Sequence, residues 1–111
     1  MAGSGLDIRL YPDVIRSIDS ATFTGSYQKV STPLTYATRI VHFINDCTVL
    51  VTISWDGVND HAVIPAGGFL LLDVASNRET ANQCVIAANT QFYVKAAAST
   101  GFIYISTYYA T

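Results

Sequence analysis

The stretch TVLVTISWDGVNDHAVIPAGGFLLLDV, residues 48–74, decides the fold. Its first part alternates strictly. Val49, Val51, Ile53 and Trp55 fall on one face of an extended chain; Leu50, Thr52, Ser54 and Asp56 fall on the other. Period two in a segment rich in β-branched residues is the pattern of a half-buried strand. Asp56-Gly57 then signals a turn, because glycine tolerates positive φ and Asp can hydrogen-bond its own backbone. A short strand is expected from His61 to Ile64. Pro65-Ala66-Gly67-Gly68 turns the chain again, and FLLLDV, 69–74, is the next strand.

The same alternation extends in both directions. RIVHFIN, 39–45, reads as an apolar strand, with turn residues at Asn45 and Asp46. Residues 39–45 and 48–55 therefore read as a hairpin. ATFTGSYQKV, 21–30, alternates threonine with aromatics and reads as a first strand. ASNRETANQ, 75–83, is polar and loop-like, and CVIAA, 84–88, is short and strand-like. Asn89-Thr90 turns the chain into the strand QFYVKAA, 91–97. Ser99-Thr100-Gly101 turns it into FIYISTYYA, 102–110. No segment keeps a helical period. Strands at roughly 8–12-residue spacing with turns between them predict an all-β fold, a single-domain antiparallel β-sandwich of jelly-roll or Ig-like type, over residues 20–111.

Residues 1–19 read differently. LDIRLYPDVIRSIDS carries five charges alternating in sign: Asp7, Arg9, Asp13, Arg16 and Asp19. Pro12 and the β-branched residues weaken a helix. The expectation is an N-terminal arm or an edge strand, with 1–5 flexible.

Composition bounds the function. The 111 residues suit one domain with a modest core. Half of them are hydrophobic, yet only 13% are charged, where about 25% is usual. A small domain has much surface for its volume, so the shortfall points to surface covered by other copies or by a partner. The alternative is a monomer coated with Thr, Ser, Asn and Gln. Net charge is −2 and no Lys/Arg cluster occurs. That argues against nucleic acid and anionic membranes, which need concentrated positive charge. No apolar run approaches the roughly 20 residues of a membrane span, and no secretory signal is read at the start. Cys47 and Cys84 lack CxxC spacing and are expected as free, buried thiols.

Asp56, Asp60 and His61 are the one cluster with chemistry to offer. Two carboxylates and an imidazole suit a metal or acid/base work, and equally the polar tip of a hairpin. Calcium loops supply more oxygens at regular spacing, which favours the turn. His42 could face His61 across a hairpin, a thin basis for a metal site. No GxSxG elbow occurs. Cys84 sits among apolar residues that favour an inert thiol. The sole glutamate, Glu79, stands beside Arg78 as a solvated pair. No enzyme activity and no cofactor are predicted.

Seven tyrosines and five phenylalanines remain. Tyr93, Tyr104, Tyr108 and Tyr109 could form a platform for glycan, or fill half-buried strand positions. Ala96 to Thr111 contains no charged residue. Such a strand is central in a sheet or covered by a neighbour, since an exposed uncharged edge invites uncontrolled pairing. The expected assembly interface is Asp7, Arg9, Tyr11, Asp13 and Arg16 with Tyr104, Tyr108 and Tyr109.

The runs RSIDSATFTGSYQ, RIVHFIND, VLVTISWDGVNDHAVIPAGGFLLLDVASN and TQFYVKAAASTGFIYISTYYA together resemble small virion proteins of tailed bacteriophages, from about Pro12 to the C-terminus. The order of strand, SWDGVNDH, short strand, PAGG, FLLLDV carries the resemblance. It implies a β-sandwich subunit of the particle, made in the host bacterial cytoplasm and located in the virion. Its partners would be other copies and other virion proteins, the major capsid protein or portal and tail proteins. It implies no catalytic residues. Capsid decoration is the expected role, with a head–tail connector, neck or tail subunit as the alternative. A glycan- or host-surface-binding module is the second alternative.

Overall fold

A computed structural model describes residues 10–73 and 86–110. Among the described residues nine strands run in chain order: β1 (Leu10–Pro12), β2 (Arg16–Asp19), β3 (Gln28–Lys29), β4 (Thr38–Cys47), β5 (Val51–Ser54), β6 (Ala62–Ile64), β7 (Phe69–Asp73), β8 (Tyr93–Lys95) and β9 (Gly101–Ala110). Among the described residues the one helical piece is a 3-10 turn at Ser20–Thr22, where the Asp19 carboxylate accepts the Ala21 N–H at 2.9 Å.

All pairings of these strands are antiparallel and make two sheets. The larger has the order β1–β9–β4–β7, with β2 alongside β9 next to β1; the smaller has the order β3–β8–β5–β6. The two sheets face each other as a β-sandwich. The larger sheet contributes Val41, Phe43, Ile103 and Ile105 to the core, and the smaller Val51, Ile53, Ile64 and Val94. Phe23, Val30, Leu34 and Phe92 join it from the connections. Phe43, Phe92 and Trp55 meet edge to face, with centroids 5.1–6.3 Å apart. Each fully buried aliphatic or aromatic side chain contributes roughly 1.5–3 kcal/mol.

The connection after β4 departs from the expected hairpin. β4 pairs with β7 and β9, whereas β5 pairs with β6 and β8. The three residues between them cross from one sheet to the other. Asn45 is the cause. It is fully buried inside β4, not in a turn. Its side-chain amide donates to the carbonyls of Val49, Ile64 and Pro65 at 2.9–3.0 Å, and its side-chain oxygen accepts the Cys47 N–H at 3.0 Å. One side chain thus ties the β4–β5 crossing to the β6–β7 crossing. Pro65–Gly68 turns as expected, with Gly67 at φ +72° and the Gly68 N–H on the Pro65 carbonyl.

The segment 21–30 is mostly not a strand. Gly25 at φ +87° breaks the extended chain, Phe23 plugs the core, and only Gln28–Lys29 pair with β8. In the segment read as 84–88, Ile86 makes a single bridge to Thr38. Cys84, Glu79 and Arg78 lie outside the described residues, as does the 75–83 loop.

Residues 10–19 take the edge-strand form of the two expectations. β1 and β2 continue one another along β9, from Leu10 opposite Ala110 to Asp19 opposite Phe102. Arg16, 5% exposed, fixes them there. Its guanidinium donates to the Thr32 and Pro33 carbonyls at 2.9 Å each and to the Val14 carbonyl and Thr107 hydroxyl at 3.3 Å. It also pairs with Asp13 at 3.3 Å.

Candidate functional site

The two sheets have unlike outer faces. On the smaller sheet, Lys29, Thr52, Tyr93 and Lys95 alternate with the buried Val94 and Ile53 and so point outward. The loop 55–61 folds back over this face. A methyl group at Gly57 would come within 3.1 Å of the Tyr93 ring, and Gly57 has φ +77°.

That loop holds Asp56, Asp60 and His61, and each has its own structural partner. Asp56 accepts the backbone N–H groups of Val58 and Asn59 at 2.8 and 2.9 Å. It also accepts the Asn59 amide and the Ser54 hydroxyl at 2.9 Å each. The Asn59 and Val58 amides, with the Asn59 side chain, hold its carboxyl well below the usual carboxylate range. Asp60 accepts the Tyr27 hydroxyl and pairs with Lys95 at 3.1 Å, and these two donors lower its pKa. Lys95 lies 4.6 Å above the Tyr27 ring. Burial first, and Asp60 second, push the Tyr27 hydroxyl up to about 12. His61 accepts the Trp55 N–H on Nδ1 at 3.0 Å. Among the described residues no three His, Cys, Asp or Glu side chains are grouped as metal ligands. His42 does not face His61. It stands on β4 in the other sheet, in edge contact with Phe69 at 5.4 Å.

The outer face of the larger sheet carries no such polar cover. Its registered outward rows run across the strands. One row is Phe69, Ile44, Tyr104 and Ser17; the next is Leu71, His42 and Ser106. The third is Asp73, Ile40, Tyr108 and Pro12, and at the opposite end Asp46, Phe102 and Asp19 line up. No lysine or arginine stands at these positions. Phe69 is 67% exposed, Leu71 53% and Phe102 41%. His42, Ile44, Phe69 and Leu71, with the side-chain-free Gly67 and Gly68, enclose an open apolar groove of about 410 Å³. An antiparallel sheet with one wet face normally alternates apolar with polar. Here the middle of the outer face is apolar instead, with Ile40, Ile44, Phe69 and Leu71 around His42, and carboxylates stand at its ends at Asp73 and Asp46.

The expected interface residues divide. Arg16 and Asp13 satisfy each other and the edge of their own sheet, so Arg16 is not available to a neighbour. Tyr104 and Tyr108 lie on the apolar outer face, and Tyr104 stacks on Phe102 at 5.9 Å. Tyr109 lies at the far end of β9, stacked between Tyr36 at 3.8 Å and Tyr11 at 5.7 Å. Asp7 and Arg9 lie outside the described residues. The uncharged strand 101–110 needs no outside neighbour, because it sits between β4 and the β1/β2 edge. Ile40, Ile44, Phe69, Leu71 and Phe102 were not expected at a site. A signal for them was present: Ile40 and Ile44 in RIVHFIN, and Phe69 and Leu71 in FLLLDV, put apolar residues at the parity opposite the core-facing one, as in strands covered on both faces.

Cys47 is buried and free, and burial raises its thiol pKa. No helix among the described residues is long and apolar enough to cross a membrane. No family model and no curated protein matches this chain.

Proposed function

We propose that this chain is a non-enzymatic structural subunit of a bacteriophage virion, assembling symmetrically as a capsid decoration protein. The observation that carries the assembly is the apolar, uncapped outer face of the larger sheet. The low charge content agrees with it, since a covered face needs no charge. The virion setting rests on the sequence resemblance alone. Decoration is preferred to a connector, neck or tail subunit because the domain is small and entirely β, suited to bridging shell subunits.

The test is to locate the chain in purified particles by mass spectrometry and cryo-electron microscopy. Hundreds of copies on the shell are expected. A ring of about a dozen at the vertex or along the tail would move the assignment to connector or tail subunit. Absence from the particle would overturn the virion reading.

A second reading has its own observation. The Tyr11–Tyr109–Tyr36 stack leaves partly exposed rings at one end of the sandwich, and sugars bind on such aromatic surfaces. A host-glycan module would gain thermal stability with saccharide, by about 2.7 kcal/mol at a hundredfold excess over Kd. A flat melting temperature across a glycan panel would remove this reading.

A further inference from the structure

We infer that the apolar outer face of the larger sheet is self-complementary and packs against the same face of a second copy of this chain. The inference rests on the assembly reading above and assigns it a surface, a partner and a register.

The central strands of the face differ in kind. β4 presents Ile40, His42 and Ile44, mostly aliphatic. β9 presents Phe102, Tyr104, Ser106 and Tyr108, mostly aromatic. They are registered neighbours: Ile40 with Tyr108, His42 with Ser106, Ile44 with Tyr104, Asp46 with Phe102. Consider a two-fold axis parallel to the strands and midway between β4 and β9. It carries each residue to a point over its own register partner in the other copy. Ile44 then lies over Tyr104 of the second copy, and Ile40 over Tyr108. His42 lies over the Ser106 hydroxyl, so the one polar ring in the middle has a polar partner. Asp46 lies over Phe102 at the end of the face, and no carboxylate opposes another.

Shape agrees with register. The groove sits on the β4–β7 side, lined by Gly67, Gly68, Phe69 and Leu71. The stacked Phe102–Tyr104 pair stands on the β9 side of the same face. The axis that swaps the two sides brings ring pair and groove together twice. This is the isologous contact of a two-fold dimer. Aligned sheets pack about 10 Å apart and within about 30° of parallel, which keeps the central columns opposed.

The area suffices. Four strand columns about 4.8 Å apart, each about seven residues long at about 3.4 Å per residue, give a face of roughly 450 Å² in projection. Two such faces, with side-chain relief, reach roughly the 1,200 Å² at which specific interfaces begin.

The experiment is sedimentation velocity over a concentration series, with circular dichroism to confirm the fold of each variant. The wild-type chain is expected to dimerise. Ile44→Lys and Tyr104→Glu should each weaken the dimer by at least ~100-fold, the loss of a central contact. Mixing the two variants should restore a heterodimer. There the introduced lysine opposes the introduced glutamate on one side of the axis, and the native Ile44–Tyr104 contact stays on the other. Should Ile44→Lys fail to fold, Leu71→Lys at the exposed edge tests the same face. Val63→Lys, on the outer face of the smaller sheet, should leave association unchanged. A wild-type monomer at all concentrations, or a dimer indifferent to these substitutions, would overturn the inference. So would monomeric variants that mixing does not restore. Particle localisation is read separately, so the virion assignment can stand or fall without it.

Discussion

The outer faces of the two sheets are built from the same alternation and end in opposite states. The smaller sheet's face is polar apart from the exposed Val63, and the chain covers part of it with its own loop: Asp56 holds the loop amides, and Asp60 holds Tyr27 and Lys95. The larger sheet's face is apolar through its middle and uncapped, with Phe69 and Leu71 more than half exposed and carboxylates only at its ends. Polar groups satisfied within the chain have little left for a partner. Apolar groups left in water have free energy to release on being covered, roughly 25 cal/mol per Å². The difference separates a face the chain partly covers itself from one whose apolar side chains meet solvent.

The comparison can be broken most severely at its frame. Gly101 opens β9 at φ +100°, and a Cβ there would lie 1.9 Å from the Asp46 carbonyl oxygen. Gly101→Val should cost about 3–5 kcal/mol and remove association with it, because the β4–β9 register sets the apolar face. Thermal unfolding would read the loss, and a wild-type melting point would contradict this end of the register. Arg16→Met comes next. It strands the Thr32 and Pro33 carbonyls and the Asp13 carboxylate, a loss of about 2–4 kcal/mol. Hydrogen exchange should show the 10–19 edge deprotected before the β4–β9 pair; uniform protection would mean the edge is held by something else.

Smaller effects sharpen the contrast. Phe69→Ser with Leu71→Ser should weaken association and, at concentrations where both chains are monomeric, leave unfolding within about 0.5 kcal/mol of wild type, as exposed substitutions do. Asp56→Ala should do the reverse, lowering the melting point without touching association. Equal effects of both changes on both measurements would erase the distinction between the faces.

The smallest effect is in pH. Asp56 and Asp60 titrate lower in the folded chain than their ordinary 3.8. The stability they contribute is present above that value and is lost as pH falls through the folded values. Acid should therefore loosen the 55–61 loop first. Tyr27 has the opposite sign. Its folded pKa of about 12 stands above the ordinary 10.0. Its contribution is complete below 10.0 and disappears as pH rises through about 12. Burial first, and Tyr36 second, raise Tyr109 as well, so an absorbance titration should find late-titrating tyrosine signal that Tyr27→Phe reduces without removing.

Much of this was legible in the chain. The alternation at Val49, Val51, Ile53 and Trp55 gave the inner face of β5, and the odd residues of FIYISTYY gave that of β9. The turns at Asp56-Gly57, Pro65–Gly68, Asn89-Thr90 and Gly101 were marked by residues whose backbone preferences are local. The structural reading of Asp56 was legible for the same reason, since its partners are two and three residues away.

What sequence by itself determined was most of the strands, the turns and their sidedness, because each depends on neighbours a few residues apart; the alternation of 21–30 misled, since Gly25 breaks the extended chain there. Only the tertiary structure decided which strands share a sheet. A three-residue link after β4 suits a hairpin or a crossing equally, and Asn45 settles it through carbonyls as distant in sequence as Ile64 and Pro65. The fate of Arg16 was hidden likewise, because its acceptors lie 16 and 17 residues on and across the sheet at Thr107. The apolar outer face is the last case. Ile44, Phe69 and Tyr104 come from three separated segments, and only their register across the strands makes them one surface.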